Sequence, residues 1–535
     1  MVKSHTDRRL SSRFAIAACI FFVLAGQPFI PLLGVQNDEA LFGYAFLQPR
    51  TGFAVQLGHS RLPLMLMSYL GTLKAWIYRP LFAVLGSGVW TLREPALLAG
   101  AASIWLFFLL LRRMAGTRAA TIGCGLLAVD ALYLLTSCFD WGPVALQHLL
   151  LVGGMLLLMR FYQEGGGTGA LAGGFFLFGL AMWDKALAVW MLGGLGVAAL
   201  AILPRQIWRA VTLRRVGIAV LAFAIGALPL IVYNARTRLE TFRGQAYSTA
   251  DIAGKARLLR ETARGSAMLG WMVNEDWQTP KPHPAKSAME KASAAAAALA
   301  GQPRQSLFFY AFVLALLLAP LARGGDLRAI LFAAVAMAVQ WIQMALVANG
   351  GGSVHHSILL WPLPQMLVAV SFAAASRRLG RFAVPTAAGA LAVLMLSGGL
   401  LINQYYRAAW RNGGGQNWTD AIYQLSGFLK SAPAGRVYCM DWGMMDSLRL
   451  LNRGKLPLDL PPELDDRRVR DAAEKPDHIF VAHMPGFEFF PDTNARFVQA
   501  AGEAGFRRTQ LAVISDSFGK PVYEVYRFVP AEAAR

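Results

Sequence analysis

Long apolar stretches separated by short arginine-bearing loops recur through the first three quarters of this chain. They fall at 14–34, 95–111, 119–137, 143–160, 169–183, 186–203, 216–233, 306–322, 328–347, 357–376 and 382–402. A bilayer crossing takes roughly 20 apolar residues. The pattern therefore predicts a polytopic α-helical membrane protein with about eleven spans. Composition agrees: 56% of residues are hydrophobic and only 15% are charged, against about a quarter charged in soluble domains. Mean hydropathy is +0.43.

The net charge of +20 is read through the same pattern. The basic residues sit in short loops, which is the positive-inside signature and not a groove for nucleic acid. Lys3, Arg8, Arg9 and Arg13 precede the first stretch and mark a retained span with a cytoplasmic N-terminus. Alternate loops then carry Arg112, Arg113 and Arg118; Arg160; Arg205, Arg209, Arg214 and Arg215; Arg323 and Arg328; and Arg377, Arg378 and Arg381. Acids on that side are few. The expected location is the cell inner (plasma) membrane, with the C-terminus outside.

Residues 62–90 are apolar enough to suggest another crossing, but Lys74, Arg79 and Pro80 interrupt them. A crossing there would turn every later arginine loop outward, so the segment is read as two helices lying along the outer interface. Residues 1–403 form the expected membrane domain, with an outer loop at 234–305 in which KSAMEKASAAAAALA favours helix. Residues 404–535 have the composition of a soluble α/β domain. RVYCMDW and DHIFVAHM are expected strands, MMDSLRLLN and NARFVQAAGEAGF helices, and LAVISD and PVYEVYRFV a hairpin across SFGK.

Ionisable residues collect at the expected outer ends of the spans. Asp38 and Glu39 follow the first, Asp140 and Trp141 the third, and Asp184 and Lys185 the fifth; His355 and His356 precede the tenth. Mixed charges gathered at one membrane face suit an interfacial active site. Trp141 is read as an aromatic-belt anchor. Asp130 lies mid-span in LLAVDALYLL, where a charge is costly, so it needs a partner or a cavity. Structural pairing and catalysis are both open for it.

The stretch VQNDEALFGYAF, with Asp38, Glu39, Ala40 and Tyr44, resembles the first-loop motif of the GT-C glycosyltransferases of family 39. That family includes protein O-mannosyltransferases and the bacterial aminoarabinose transferases of lipid A. RLPLMLMSYL, beginning at Arg61, is similar to its Lys/His-Pro-Pro-Leu segment, although Leu62 replaces the first proline. LREPALLAG, GLAMWDKALA and HHSILLWPLPQMLVA resemble its Arg-x-Pro, Gly-Leu-Ala…Lys and late His…Pro…Pro stretches in the same order.

The resemblance implies sugar transfer from a polyprenyl-phosphate donor to a lipid, glycan or protein acceptor among membrane lipids. It makes Asp38 the candidate base. Glu39 becomes an acceptor-orienting or metal-binding residue, and Asp140 the family's acid at the third span. Arg61, Lys185, His355 and His356 are the candidate phosphate ligands, and His59, Tyr44 and Asp130 are further candidates. A divalent metal at Asp38 and Glu39 is an open expectation. A membrane transporter or lipid flippase of glycan assembly is the competing class. Such proteins usually show internal repeats and mid-membrane polar groups, of which only Asp130 and Gln340 stand out here. A non-catalytic member of the fold is a third reading.

Overall fold

The computed structural model describes residues 2–47, 52–243 and 246–531. The chain opens with α1 (Val2–Gly26). Helix α2 (Asn37–Gly43) begins at a reciprocal cap. Gln36 Oε1 accepts from the Glu39 amide at 3.0 Å, and Glu39 Oε2 accepts from the Gln36 amide at 3.4 Å. Strands β1 (Phe53–Leu57) and β2 (Ser60–Met65) then form an antiparallel hairpin, followed by α3 (Leu73–Leu85).

This corrects the expectation of two helices across 62–90. Leu62 pairs with Val55 in the hairpin, and a single helix follows. Gly58, with φ +58, supplies the left-handed residue that the tight turn requires. An apolar run alone does not separate strand from helix.

The membrane domain continues with α4 (Val89–Ala115), α5 (Thr117–Ala128) and α6 (Ala131–Cys138). Next come α7 (Val144–Gln163), α8 (Thr168–Asp184), α9 (Ala188–Ile202) and α10 (Pro204–Ala210). Helices α11 (Leu213–Gly226) and α12 (Leu228–Arg236) meet at a 73° bend. The loop that follows carries α13 (Glu240–Arg243), α14 (Ile252–Arg264) and α15 (Ala288–Ala300). The last is the alanine-rich helix expected there, capped by Ser287 and Glu290. Then follow α16 (Phe308–Leu318), α17 (Gly324–Leu346), α18 (Val354–Ser357), α19 (Leu363–Ser376) and α20 (Ala383–Asn412).

Each expected apolar stretch is helical over most of its length. By length and apolarity, five helical stretches among the described residues suffice to cross a membrane, or up to seven if each bent pair is one span. Two of the five, Val89–Ala128 and Val354–Asn412, each contain two main helices that pack on each other. Their turns fall at Gly116 and at Gly380, both with positive φ. Helix α8 packs tightly on α11 because two glycines face each other's backbone. A Cβ at Gly179 would lie 2.2 Å from Phe223 O, and one at Gly226 2.4 Å from Phe176 O.

Asp130 lies in the break between α5 and α6. Its Oδ1 caps α6 by accepting from the Tyr133 amide at 2.9 Å. Its Oδ2 accepts from Trp361 Nε1 at 2.7 Å and Gln365 Nε2 at 3.1 Å. The mid-span carboxylate is thus a bonded helix cap, which answers the open choice at that position in favour of a structural partner.

The C-terminal region forms a five-stranded sheet flanked by helices. In chain order these are α21 (Ala421–Ser431), β3 (Arg436–Cys439), α22 (Met445–Leu451) and β4 (Leu458–Asp459). They continue with α23 (Asp466–Ala473), β5 (His478–His483), α24 (Pro491–Glu503), β6 (Phe506–Ser515) and β7 (Pro521–Pro530). The strand order is β4-β3-β5-β7-β6, parallel from β4 to β5 and antiparallel from β5 to β6. Central strand β5 is buried along its whole length. Helix α20 runs unbroken to Asn412, past the expected boundary at 403.

This sheet-bearing region docks on the loop after α1 and on α2. Gly34 N donates to Trp418 O at 2.8 Å, and Tyr423 Oη to Leu33 O at 2.9 Å. Ser447 Oγ donates to Val35 O at 2.8 Å, and the Asp446 amide to Asn37 Oδ1 at 3.0 Å. Tyr44 Oη donates to Asp446 Oδ1 at 2.6 Å. The segment that carries the acidic pair is therefore held between the two regions.

Candidate active site

Glu39 and Arg93 form the innermost element. Their side chains are 1% and 0% exposed. Arg93 Nε donates to Glu39 Oε1 at 2.7 Å and Nη2 to Oε2 at 3.0 Å. Its other N–H groups reach Ile30 O, Leu33 O and Gly34 O at 2.6–2.9 Å. All five guanidinium donors are thus satisfied. Arg93 cross-links the chain after α1 to the start of α4, and Glu39 neutralises it. The Glu39 oxygens thus accept from Arg93 and from the Gln36 amide. Among the described residues, no group of three or more His, Cys, Asp or Glu side chains is placed to hold an ion.

Asp140 is engaged in a similar way. Its Oδ1 accepts from the Val144 amide at 2.7 Å and the Ala145 amide at 3.2 Å, capping α7. Its Oδ2 pairs with Lys74 Nζ at 2.9 Å, both side chains nearly inaccessible. Asp140 thus ties the start of α7 to Lys74 of α3. The site is held together there by Lys74, one of the two cations, with Arg79, inside an otherwise apolar segment.

Asp38 differs. It is only partly buried, and among the described residues it makes no ion pair. Burial and then the neighbouring Asp446 carboxylate push its carboxyl up to about 6, while Asn37, Lys185 and Gln36 pull it back. Asp446 reaches this position from the C-terminal region, where no local signal marked it. Tyr69 also faces Asp38 and feels its charge.

Lys185 lies in the turn after α8. Its Nζ donates to Gly142 O at 2.9 Å and faces Asp184, Asp140 and Asp38. Burial pulls this amine down to about 8, with those carboxylates opposing the shift. Asp184 accepts from Gln147 Nε2 at 2.9 Å, so Asp184 and Lys185 do not simply pair with each other.

His355 packs edge-on against Trp141, with ring centroids 5.9 Å apart, and its Nδ1 lies 2.8 Å from Ser353 Oγ. His356 packs against Trp190 at 5.8 Å. The two imidazoles also face each other, with ring centroids 4.3 Å apart. Trp141 is not a lipid-facing anchor, contrary to expectation. It is 5% exposed and packs on Trp271 and Trp418 at 5.7 and 5.2 Å, joining membrane core, long loop and domain linker.

The structure thus brings together Asp38, Asp140, Asp184, Lys185, His355 and His356 as the sequence suggested. It does not bring Arg61 or His59 to them. Both are exposed on the β1–β2 hairpin, and among the described residues neither forms an ion pair. Tyr44 is buried and holds Asp446.

Residues 71–233 match a family model described as dolichyl-phosphate-mannose-protein mannosyltransferase. The whole chain is similar in fold to the crystal structure of ArnT from Cupriavidus metallidurans bound to undecaprenyl phosphate. The identity is 11% and the TM-score 0.59, covering 96% of this chain and 97% of that one. The apo structure of the same protein gives 11% and 0.58 over the same shares. No curated protein sequence matches the chain. Residues 71–233 thus resemble that mannosyltransferase family, and the chain as a whole has the fold of ArnT, that of a membrane protein with many apolar helices.

Proposed function

We propose that this protein transfers a sugar from a polyprenyl-phosphate-linked donor to an acceptor hydroxyl or phosphate at the outer face of the plasma membrane. The observation that carries the reading is Asp38. It stands at the domain junction, forms no ion pair among the described residues, and lies beside a buried lysine. For a hydroxyl acceptor, the oxygen attacks the anomeric carbon as its proton passes to Asp38. The bond from that carbon to the phosphate oxygen breaks, and polyprenyl phosphate leaves with the electron pair. Phosphate is a good leaving group, so its charge needs stabilising more than it needs a proton. Lys185 is assigned that role, with His355 and His356 as hydrogen-bond donors. Arg61, exposed on the β1–β2 hairpin, is the outer candidate.

The donor's lipid tail stays in the bilayer while its sugar reaches the junction between membrane core and C-terminal domain. The arginine asymmetry of the loops supports an outer location for that junction. The test is transfer from a radiolabelled polyprenyl-phosphate sugar by the purified protein. Asp38→Asn is expected to lower the rate by about 10²–10⁴-fold, the scale of general-base removal, while melting no lower than the wild type. Full activity of folded Asp38→Asn would remove the base from the mechanism. Mass spectrometry of glycolipids and glycans from cells with and without the gene identifies sugar and acceptor together.

A further inference from the structure

A second polar site lies apart from this cluster, where the loop before α15 meets the end of α20. Residues 282–285, Ala294, Arg407, Trp410 and Arg411 line an open groove of about 320 Å³. Arg407 and Arg411 are four residues apart on one helix, so both guanidinium groups project from the same face. Like charges at that spacing repel unless an anion lies between them.

The anion present is inadequate. Asp276 Oδ2 stands 4.0 Å from Arg407 Nη2 and 3.6 Å from Arg411 Nη1, and its carboxylate is 46% exposed. Its Oδ1 is taken by Asn412 Nδ2 at 2.8 Å. Other nearby carboxylates are engaged elsewhere: Glu275 with Arg304, and Glu290 with the amides of Lys286 and Ser287.

The contrast with Arg93 is informative. Arg93 is fully buried and all five of its N–H groups meet acceptors. The Arg407 side chain is only 10% exposed, yet its one hydrogen bond among the described residues is a 3.3 Å contact to Gln302 Oε1. A guanidinium so desolvated and so little bonded is costly unless a ligand completes it. Trp410, 6% exposed beside it, has an Nε1 without an acceptor. His283 closes one wall, stacked on Phe518 at 4.2 Å with its Nε2 3.0 Å from Ser517 O.

We propose that this groove binds a phosphate group, held between Arg407 and Arg411. Paired guanidinium forks match the several oxygens of phosphate in a way that a single carboxylate does not. The groove sits at the end of the apolar helix α20, within reach of a membrane-borne headgroup as well as of free phosphate. The inference does not depend on the transfer reaction, and its test measures binding alone.

The full-length protein in detergent micelles is titrated with short-chain phosphatidic acid and, separately, with inorganic phosphate, and its melting temperature is followed. A saturable rise with the wild type is expected. Arg407→Gln and Arg411→Gln should each weaken the response by about tenfold or more, the scale for losing a charged hydrogen-bonding partner. Asp276→Asn, which removes the competing carboxylate, should strengthen it. A response to phosphatidic acid alone identifies a lipid headgroup, and equal responses identify phosphate itself; both support the site. If neither titrant stabilises the wild type, or if the arginine variants titrate like it, the proposal falls. Should Arg407→Gln not fold, the more exposed Arg411 carries the test by itself.

Discussion

Replacing Glu39 by glutamine keeps the side chain's shape and removes its charge. Arg93 would then stand fully buried with no counter-ion, at 0% exposure. Removing one partner of a buried pair costs about 3–5 kcal/mol, because the other charge remains desolvated. Arg93→Met should cost at least as much. It strands the Glu39 carboxylate and also the carbonyls of Ile30, Leu33 and Gly34, which lose their donors. The double variant should lose less than the sum of the singles, by about 3 kcal/mol or more, since the charge that each single variant exposes is absent. The assay is unfolding of the full-length protein in mixed micelles by titration with dodecyl sulfate. Transfer activity is measured in parallel and expressed per folded molecule. A structural Glu39 predicts destabilised variants whose folded fraction still works. If Glu39→Gln unfolded within about 0.5 kcal/mol of the wild type, the ordinary range for an incidental surface change, and yet had no activity, the keystone account would be wrong.

Other outcomes follow from the same geometry. The transfer rate should rise with pH through about 6 as Asp38 loses its proton, and Asp446→Asn should move that limb to lower pH by removing a repelling carboxylate. The sign for stability is opposite: with its folded value raised, Asp38 costs the fold nothing below the ordinary carboxylate range of about 4. The full penalty is present above about pH 6. Denaturant midpoints across that window, compared between wild type and Asp38→Asn, measure it. Lys74→Met should destabilise by about 3–5 kcal/mol by stranding Asp140, read by the same unfolding titration. A cysteine at Val84, which is 82% exposed on α3, should react with an impermeant thiol reagent from outside. One at Arg113 should react only after the membrane is opened; the reverse pattern would invert the proposed topology.

Much of the architecture is local and one-dimensional, and such features are legible in the sequence. Apolar runs define helices because a backbone in hydrocarbon must satisfy its own hydrogen bonds. Ser287 and Glu290 announce α15 because a capping box needs only residues three apart. Strands β3, β5, β6 and β7 show in their β-branched and aromatic runs, whereas β4 (Leu458–Asp459) does not, and the acidic pair after α1 marks the region where ionisable groups gather. Tertiary structure decided which of those groups are free. Glu39 meets Arg93 across 54 positions, Asp140 meets Lys74 across 66, and Tyr44 meets Asp446 across 402. Each pairing converts an apparently functional charge into a support or brings an unmarked one beside Asp38. The same distance effect hides Trp141 in an aromatic cluster and makes Asp130 a bonded cap. A charge's role depends on whether a partner reaches it in three dimensions, and periodicity along the chain carries no record of that partner.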